Sequence, residues 1–186
     1  MLASEATLSM IFELFEQRGA EQYGEHVTQL QHALQCAQLA REHGCKAALV
    51  AASLLHDIGR LLEPQGNEEE LRGIDAQHEN IGANALSAVF PPAVTEPIRL
   101  HVAAKRYLCA TDVSYVAGLS PASILSLDVQ GGAMSAEEAA RFEREPFFAD
   151  AIQLRRFDDW GKRTGCEVAS LESYRDLLRS LCVQRH

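Results

Sequence analysis

The pair His56-Asp57 stands in a run, SLLHDIGRLL, that is otherwise almost wholly apolar. An ionised carboxylate in such surroundings is costly unless a cation or strong donors compensate it. A metal bound jointly with the neighbouring imidazole does that. A lone histidine on an apolar helix is more often a hydrogen-bonded core residue than a ligand. Here the pair is joined by His32 (QHALQCA), His78 (QHENIGA), His101 (RLHVAAK) and Asp158 (LRRFDDW), making four imidazoles and two carboxylates. Asp159 competes with Asp158 for the last place. His26 and His43 flank the His32 helix and are expected outside the set.

A second group of polar residues accompanies these donors. Lys105 follows His101 by four residues and Arg155 precedes Asp158 by three, spacings that place both cations on ligand-bearing helical faces. Arg60 lies one helical turn beyond His56. The segment SPASILSLDVQGGAMS holds Ser123, Ser126 and Gln130 ahead of Gly131-Gly132, and Tyr23-Gly24-Glu25 precedes the first histidine. Cations and hydroxyls stabilise a small anion through charge-assisted hydrogen bonds, while a carboxylate such as Glu25 suits an amine. Lys105 and Arg155 also read as surface charges, and Ser126 and Gln130 as helix caps.

These residues need helices to carry them. Leu8 to Phe15 is apolar at helical spacing, and Gly19 and Gly24 punctuate a loop. Thr28 caps a helix running to about His43 that Gly44 ends. A nearly all-apolar, hence central, helix runs from about Lys46 to His56-Asp57. The acidic stretch Glu63 to Ala76, with Pro64, Gly66 and Gly73, reads as a loop or lid. Helices follow at about Gln77–Phe90, stop at Pro91-Pro92, and resume over Val94–Leu108 with Pro97 in an early turn. Ser120-Pro121 opens a helix towards Val129, and Ser135 with Glu138 forms a capping box. Pro146 is expected in the first turn of a helix carrying Phe148, Leu154 and Asp158, and a C-terminal helix spans about 170–184. No run alternates with a period of two. The expected fold is all-α, one domain over 1–186 with the ligand-bearing core at about 28–162.

The order of the six donors resembles the HD-domain superfamily, whose ligands run H…HD…H…H…D, and the match covers residues 32–158. The resemblance implies one metal on His32, His56, Asp57 and Asp158, and a second on His78, His101 and a bridging Asp57. An N/O donor set of this kind suits iron or manganese, with zinc or nickel compatible. The serine-rich QGG segment and LRRFDDW are similar to the mixed-valent diiron oxygenases of this superfamily that cleave carbon–phosphorus bonds, relatives of myo-inositol oxygenase. That resemblance implies an Fe(II)/Fe(III) pair with O2 as co-substrate. It implies a catalytic role for Asp57 and Tyr23, with Tyr23 and Glu25 at the amine end of the substrate. Lys105, Arg155, Ser123, Ser126 and Gln130 would hold its phosphonate. For 2-amino-1-hydroxyethylphosphonate the products would be phosphate and glycine; for the trimethylammonium analogue, phosphate and glycine betaine. Two departures stand out: Arg60 replaces the His or Lys found in relatives, and a single glycine separates Tyr23 from Glu25.

The same donors would also serve a metal-dependent phosphohydrolase of a nucleotide or small phosphomonoester, or a signal-binding module. A net charge of −9 argues against nucleic-acid binding, yet a few buried cations can still set the local field around a small anion. Five dispersed cysteines without a CxxC pair argue against a disulfide framework or thiolate zinc site. With no signal-peptide pattern and no long apolar run, the expected location is cytoplasmic and off the membrane.

Overall fold

The computed structural model describes residues 2–23, 27–63 and 75–183. Helix α1 (Leu2–Arg18) is followed by a short antiparallel ladder, β1 (Gln22–Tyr23) against β2 (Val27–Thr28), with Gln22 opposite Thr28 and Tyr23 opposite Val27. The chain then forms α2 (Gln29–Glu42), α3 (Ala47–Leu55), α4 (Ile58–Leu62), α5 (His78–Leu86) and α6 (Pro92–Thr111). After these come α7 (Val113–Ala117), α8 (Pro121–Val129), α9 (Ala136–Phe142) and α10 (Phe148–Trp160). A 3-10 turn (Leu171–Tyr174) leads into α11 (Arg175–Leu181). The architecture is all-α, with the two-residue ladder the only pairing of strands among the described residues.

The core is built around α3. Every residue from Leu49 to Leu55 is buried, as an apolar-all-round helix requires, and α2, α6 and α10 pack on it. Helix α2 starts where Thr28 and Gln31 close a reciprocal capping box. Its buried stripe, His32, Ala33, Cys36, Ala37 and Ala40, follows the three-and-four spacing that one helical face demands. Gly44, at φ 68°, ends that hairpin arm.

Several boundaries differ from the sequence reading. Pro92 does not delay α6 but starts it, because a first-turn nitrogen needs no intrahelical partner; Pro97 sits in the second turn. Pro146 lies before α10 rather than inside it, since Phe147 is the N-cap. The helices α4 and α7, five residues each, are too short to show a period. The C-terminal helix opens as a 3-10 turn. Of the acidic loop, residues 64–74 lie outside the described residues, as does Glu25.

Candidate metal centre

The six donors come from five helices and one junction. His32 lies in the first turn of α2, His56 ends α3, Asp57 is the N-cap of α4, His78 opens α5, His101 is mid-α6 and Asp158 is near the end of α10. All six are buried, the four histidines and Asp158 at 2% exposure or less.

Their ring and carboxylate atoms converge in two groups that share Asp57. In the first, His32 Nε2 lies 3.2 Å from His56 Nε2 and 3.5 Å from Asp158 Oδ1, and His56 Nε2 lies 3.5 Å from Asp57 Oδ2. In the second, His78 Nε2 is 3.1 Å and His101 Nε2 3.7 Å from Asp57 Oδ1, with 3.2 Å between the two rings' nitrogens. The two oxygens of one carboxylate therefore face different pairs of imidazoles.

The outer nitrogens determine what the inner ones can do. His32 Nδ1 donates to the Gly161 carbonyl at 3.0 Å, His56 Nδ1 to Ser53 at 2.9 Å and His101 Nδ1 to Ile98 at 2.7 Å. A carbonyl only accepts, so each of these rings carries its proton outside and turns an Nε2 lone pair inward. Burial lowers the pKa of His32 and lowers that of His101 further, His78 and His56 adding to the effect on the latter. Both shifts favour the neutral ring that ligation requires. Burial pushes the Asp57 carboxyl up, but His56, Arg60 and His78 outweigh it and hold it well below its usual range. Burial of Asp158 is likewise outweighed by Arg155, Lys162 and His32. Neither Asp57 oxygen makes a hydrogen bond of good geometry among the described residues. Lone pairs facing lone pairs about 3 Å apart, beside an ionised carboxylate, are a repulsive arrangement that cations between them would relieve. The donor set fits two metal ions.

Beside the donors lies a cavity of about 540 Å³. Asp57, His78, His101 and Asp158 form its floor; Arg60, Lys105, Arg155 and Lys162 make it cationic; Tyr23, Ser123, Ser126 and Gln130 complete the polar wall. Lys105 and Arg155 are buried, not surface charges. Lys105 Nζ donates to Ser126 Oγ at 2.8 Å. Arg155 donates to Asp158 Oδ2 at 2.7 Å, pairs with Asp159 and donates to the Tyr115 hydroxyl, so it holds a donor carboxylate in place as well as facing the cavity. Asp159 is thereby committed to Arg155 and Tyr115, away from the cluster. The Tyr23 ring stacks on His32 with centroids 3.9 Å apart, and its hydroxyl donates to Asp158 Oδ1 at 3.3 Å. Burial raises the phenol pKa well above its ordinary value, keeping that proton on. Gln130 Oε1 is buried without a hydrogen-bond partner among the described residues. His43 packs on Phe157 and Trp160, outside the cluster.

A family model described as the HD domain matches residues 30–123, which include His32, His56, Asp57, His78 and His101. The chain belongs to the HD-domain family. This HD-domain chain is 46% identical over 168 residues, 90% of its own length and 84% of the relative's, to hydroxymethylphosphonate dioxygenase of Gimesia maris. It is 41% identical over 174 residues, 93% and 88% of the two chains, to the glycine-betaine-forming [1-hydroxy-2-(trimethylamino)ethyl]phosphonate dioxygenase of Leisingera caerulea. Relatedness of this extent makes the HD-domain chain an oxygenase of the phosphonate-dioxygenase group.

Three features of the site escaped the sequence reading. Lys162, four residues after Asp158, lies 3.8 Å from Asp158 Oδ1 and donates to Ser123 Oγ at 3.1 Å; its spacing from Asp158 was the available signal. Cys36, one turn after His32, places its sulfur 3.8 Å from both nitrogens of that ring. Burial, with Asp158 and Asp57 nearby, raises its pKa well above the usual thiol value, so it stays a protonated thiol and donates to the Phe157 carbonyl. Gly161 supplies the carbonyl that orients His32, which no local pattern announces.

Proposed function

We propose that this HD-domain oxygenase is a mixed-valent diiron enzyme that cleaves the C–P bond of a small 1-hydroxyphosphonate of the 2-amino-1-hydroxyethylphosphonate type. The observation that carries the reading is the division of Asp57, one oxygen towards His32 and His56's group and the other towards His78 and His101, on the floor of a cation-walled cavity. One iron would take His32, His56, Asp57 and Asp158, and the other His78, His101 and the second oxygen of Asp57. When bound, an Fe(II)/Fe(III) pair supplies the redox chemistry that O2 needs to react with a C–H bond.

The protein's own residues bind and orient. Lys105 and Ser126, with Ser123 and Gln130, take the phosphonate oxygens through charge-assisted bonds. Arg155 fixes Asp158 and adds positive charge behind it. Arg60, 3.4 Å from Asp57 Oδ2 through its Nε, stays charged at all working pH and so contributes field rather than proton transfer. Tyr23 covers His32 and keeps its phenol proton, which it donates to Asp158, closing one side of the cluster to water. Glu25 is the partner proposed for the amine end. The balance is one O2 per substrate: one oxygen atom joins the carbon, giving glycine, and the other joins phosphorus as the C–P bond breaks, giving phosphate.

One observation favours a second substrate, one without a head group. Among the described residues, the only carboxylates lining the cavity are Asp57 and Asp158, and the only aromatic is Tyr23. A trimethylammonium group wants an aromatic cage, which this wall does not offer, whereas hydroxymethylphosphonate needs no head-group contact and would yield formate and phosphate. The test is iron-loaded, partly oxidised enzyme incubated with the hydroxymethyl, 2-amino-1-hydroxyethyl and trimethylammonium substrates, with and without O2. O2-dependent phosphate release with glycine as the best carbon product supports the main reading, and formate alone selects the second. Phosphate release independent of O2 would overturn the oxidative reading, whereas release from a phosphomonoester but from none of these phosphonates would point to a phosphohydrolase.

A further inference from the structure

The segment from α7 to the end of α8 is held to the molecule in an unusual way. No residue of α7 is buried, and Ser123 is the single buried residue of α8. The side chains that ordinarily hold a helix down face solvent instead: Val113 is 90% exposed, and Val116, Ile124 and Leu125 are each 41–52% exposed. What ties the segment down is three hydroxyls on charged groups. The Tyr115 hydroxyl donates to Asp159 at 2.6 Å, Ser123 accepts from Lys162, and Ser126 accepts from Lys105.

Its two ends are fixed more firmly. Asp112 caps α7 through the amides of Ser114 and Tyr115. At the far end Gly131 and Gly132 take φ values of 95° and 70°, and Arg106 donates to the Gly132 carbonyl at 2.9 Å while pairing with Glu138. Between those anchors α8 forms one wall of the cavity, contributing Pro121, Ala122, Ser123, Leu125 and Ser126. The cavity's 540 Å³ is far more than a small hydroxyphosphonate fills.

We propose that α8 is a strap drawn down by the substrate's phosphonate, and that Lys162 together with Lys105 is the pair of cations through which the anion does so. This rests on the phosphonate reading above and adds to it a mobile wall and a residue, Lys162. The two Lys–Ser bonds are neutral-acceptor bonds. In those bonds only the donor is charged; a phosphonate offers each lysine an ionised acceptor as well, and two opposite charges at hydrogen-bond distance attract more strongly than a charge and a hydroxyl. Its third oxygen, and the unused lone pairs of the other two, accept from the Ser123 and Ser126 hydroxyls, three residues apart on one face of α8. The anion thus replaces two direct ties with a bridge reaching both lysines and both serines. Leu125, which already borders the cavity, is buried as the wall closes. Segments held by few apolar contacts are those that open at low free-energy cost.

The test is hydrogen exchange on the iron-loaded enzyme, with methylphosphonate and inorganic phosphate as probes that lack the reactive hydroxyl and calorimetry reporting their binding. Saturating anion should slow exchange over 113–130 by about tenfold or more while leaving α3 unchanged. Lys162→Met should lose most of that protection and bind the anions about tenfold more weakly. Ser123→Ala, which keeps the lysine, should lose part of it, and α3 exchange reports that both variants remain folded. Saturable binding with unchanged exchange over 113–130, or slowing spread evenly over the whole chain, would overturn the strap and leave the phosphonate site standing. Failure of either anion to bind would overturn both.

Discussion

The backbone of Gly59 lies directly against that of His78: a Cβ on residue 59 would overlap the His78 carbonyl oxygen and stand 3.0 Å from the Gly82 nitrogen. Gly82 in turn has only 3.2 Å between its own would-be Cβ and Ile58. Two glycines therefore set how closely α5 approaches the helix that follows Asp57, and that approach brings His78 Nε2 to Asp57 Oδ1.

Gly59→Ala should push α5 outward and empty the His78–His101 half of the centre first. Metal content should fall from about two ions per chain towards one, with a stability cost of about 1–3 kcal/mol, typical of overpacking. Elemental analysis beside a denaturant titration measures both. Two ions retained at full occupancy would show that the close approach is not what positions His78.

Asp57→Ala should remove both ions, because both donor groups draw on that carboxylate. Chelation of the wild-type chain should lower Tm by about 2–4 °C for each kcal/mol of lost metal binding, whereas the variant's Tm should not respond to chelator. Scanning calorimetry with and without chelator, on samples of known iron content, is sufficient.

The carbonyl of Gly161 orients His32, and a Cβ there would lie 2.6 Å from Cys36 Sγ. Gly161→Ala should weaken metal affinity by about 10- to 100-fold, as loss of an outer hydrogen bond to a ligating histidine does. Adding Cys36→Ala opens the space and should restore part of that affinity. A competitive chelator titration on the single and double variants checks it, and no restoration would mean that the sulfur is not the obstacle.

Glu138 caps α9 from Ser135 and pairs with Arg106, and the Ser135 amide and the Arg106 guanidinium hold its carboxyl at about 2, down from 4.5. A depressed carboxylate contributes stability that is fully present above about pH 4.5 and is lost as pH falls towards about 2. The difference in urea midpoint between wild type and Glu138→Gln should therefore shrink across that window and be constant above it.

The sequence reading recovered what depends on neighbours within a few residues. The helix cap at Thr28, the capping box at Ser135, the apolar run of α3 and the Ser120-Pro121 start of α8 are written in local spacing, and the structure has them where expected. At Pro92 the structure departs from local spacing, because a proline that ends one helix is chemically equal to one that begins the next and only the following chain decides. Lys105 and Arg155, spaced from His101 and Asp158 on helices, line the cavity beside them, whereas Lys162 stands four residues after Asp158 but just beyond the end of α10 at Trp160.

What the sequence determined by itself was the chemistry: four imidazoles and two carboxylates on helices, cations spaced to join them, and an apolar setting that makes Asp57 need a cation. Tertiary structure alone decided that Asp57 splits its oxygens between two groups, that carbonyls of Ser53, Ile98 and Gly161 turn three Nε2 lone pairs inward, and that Gly59 lets His78 come near. It also left α8 tied by hydroxyls rather than by packing. The reason is one of range: residue type and helical period act over one or two turns, whereas the distance between two helices is set by the volumes of side chains far apart in the chain.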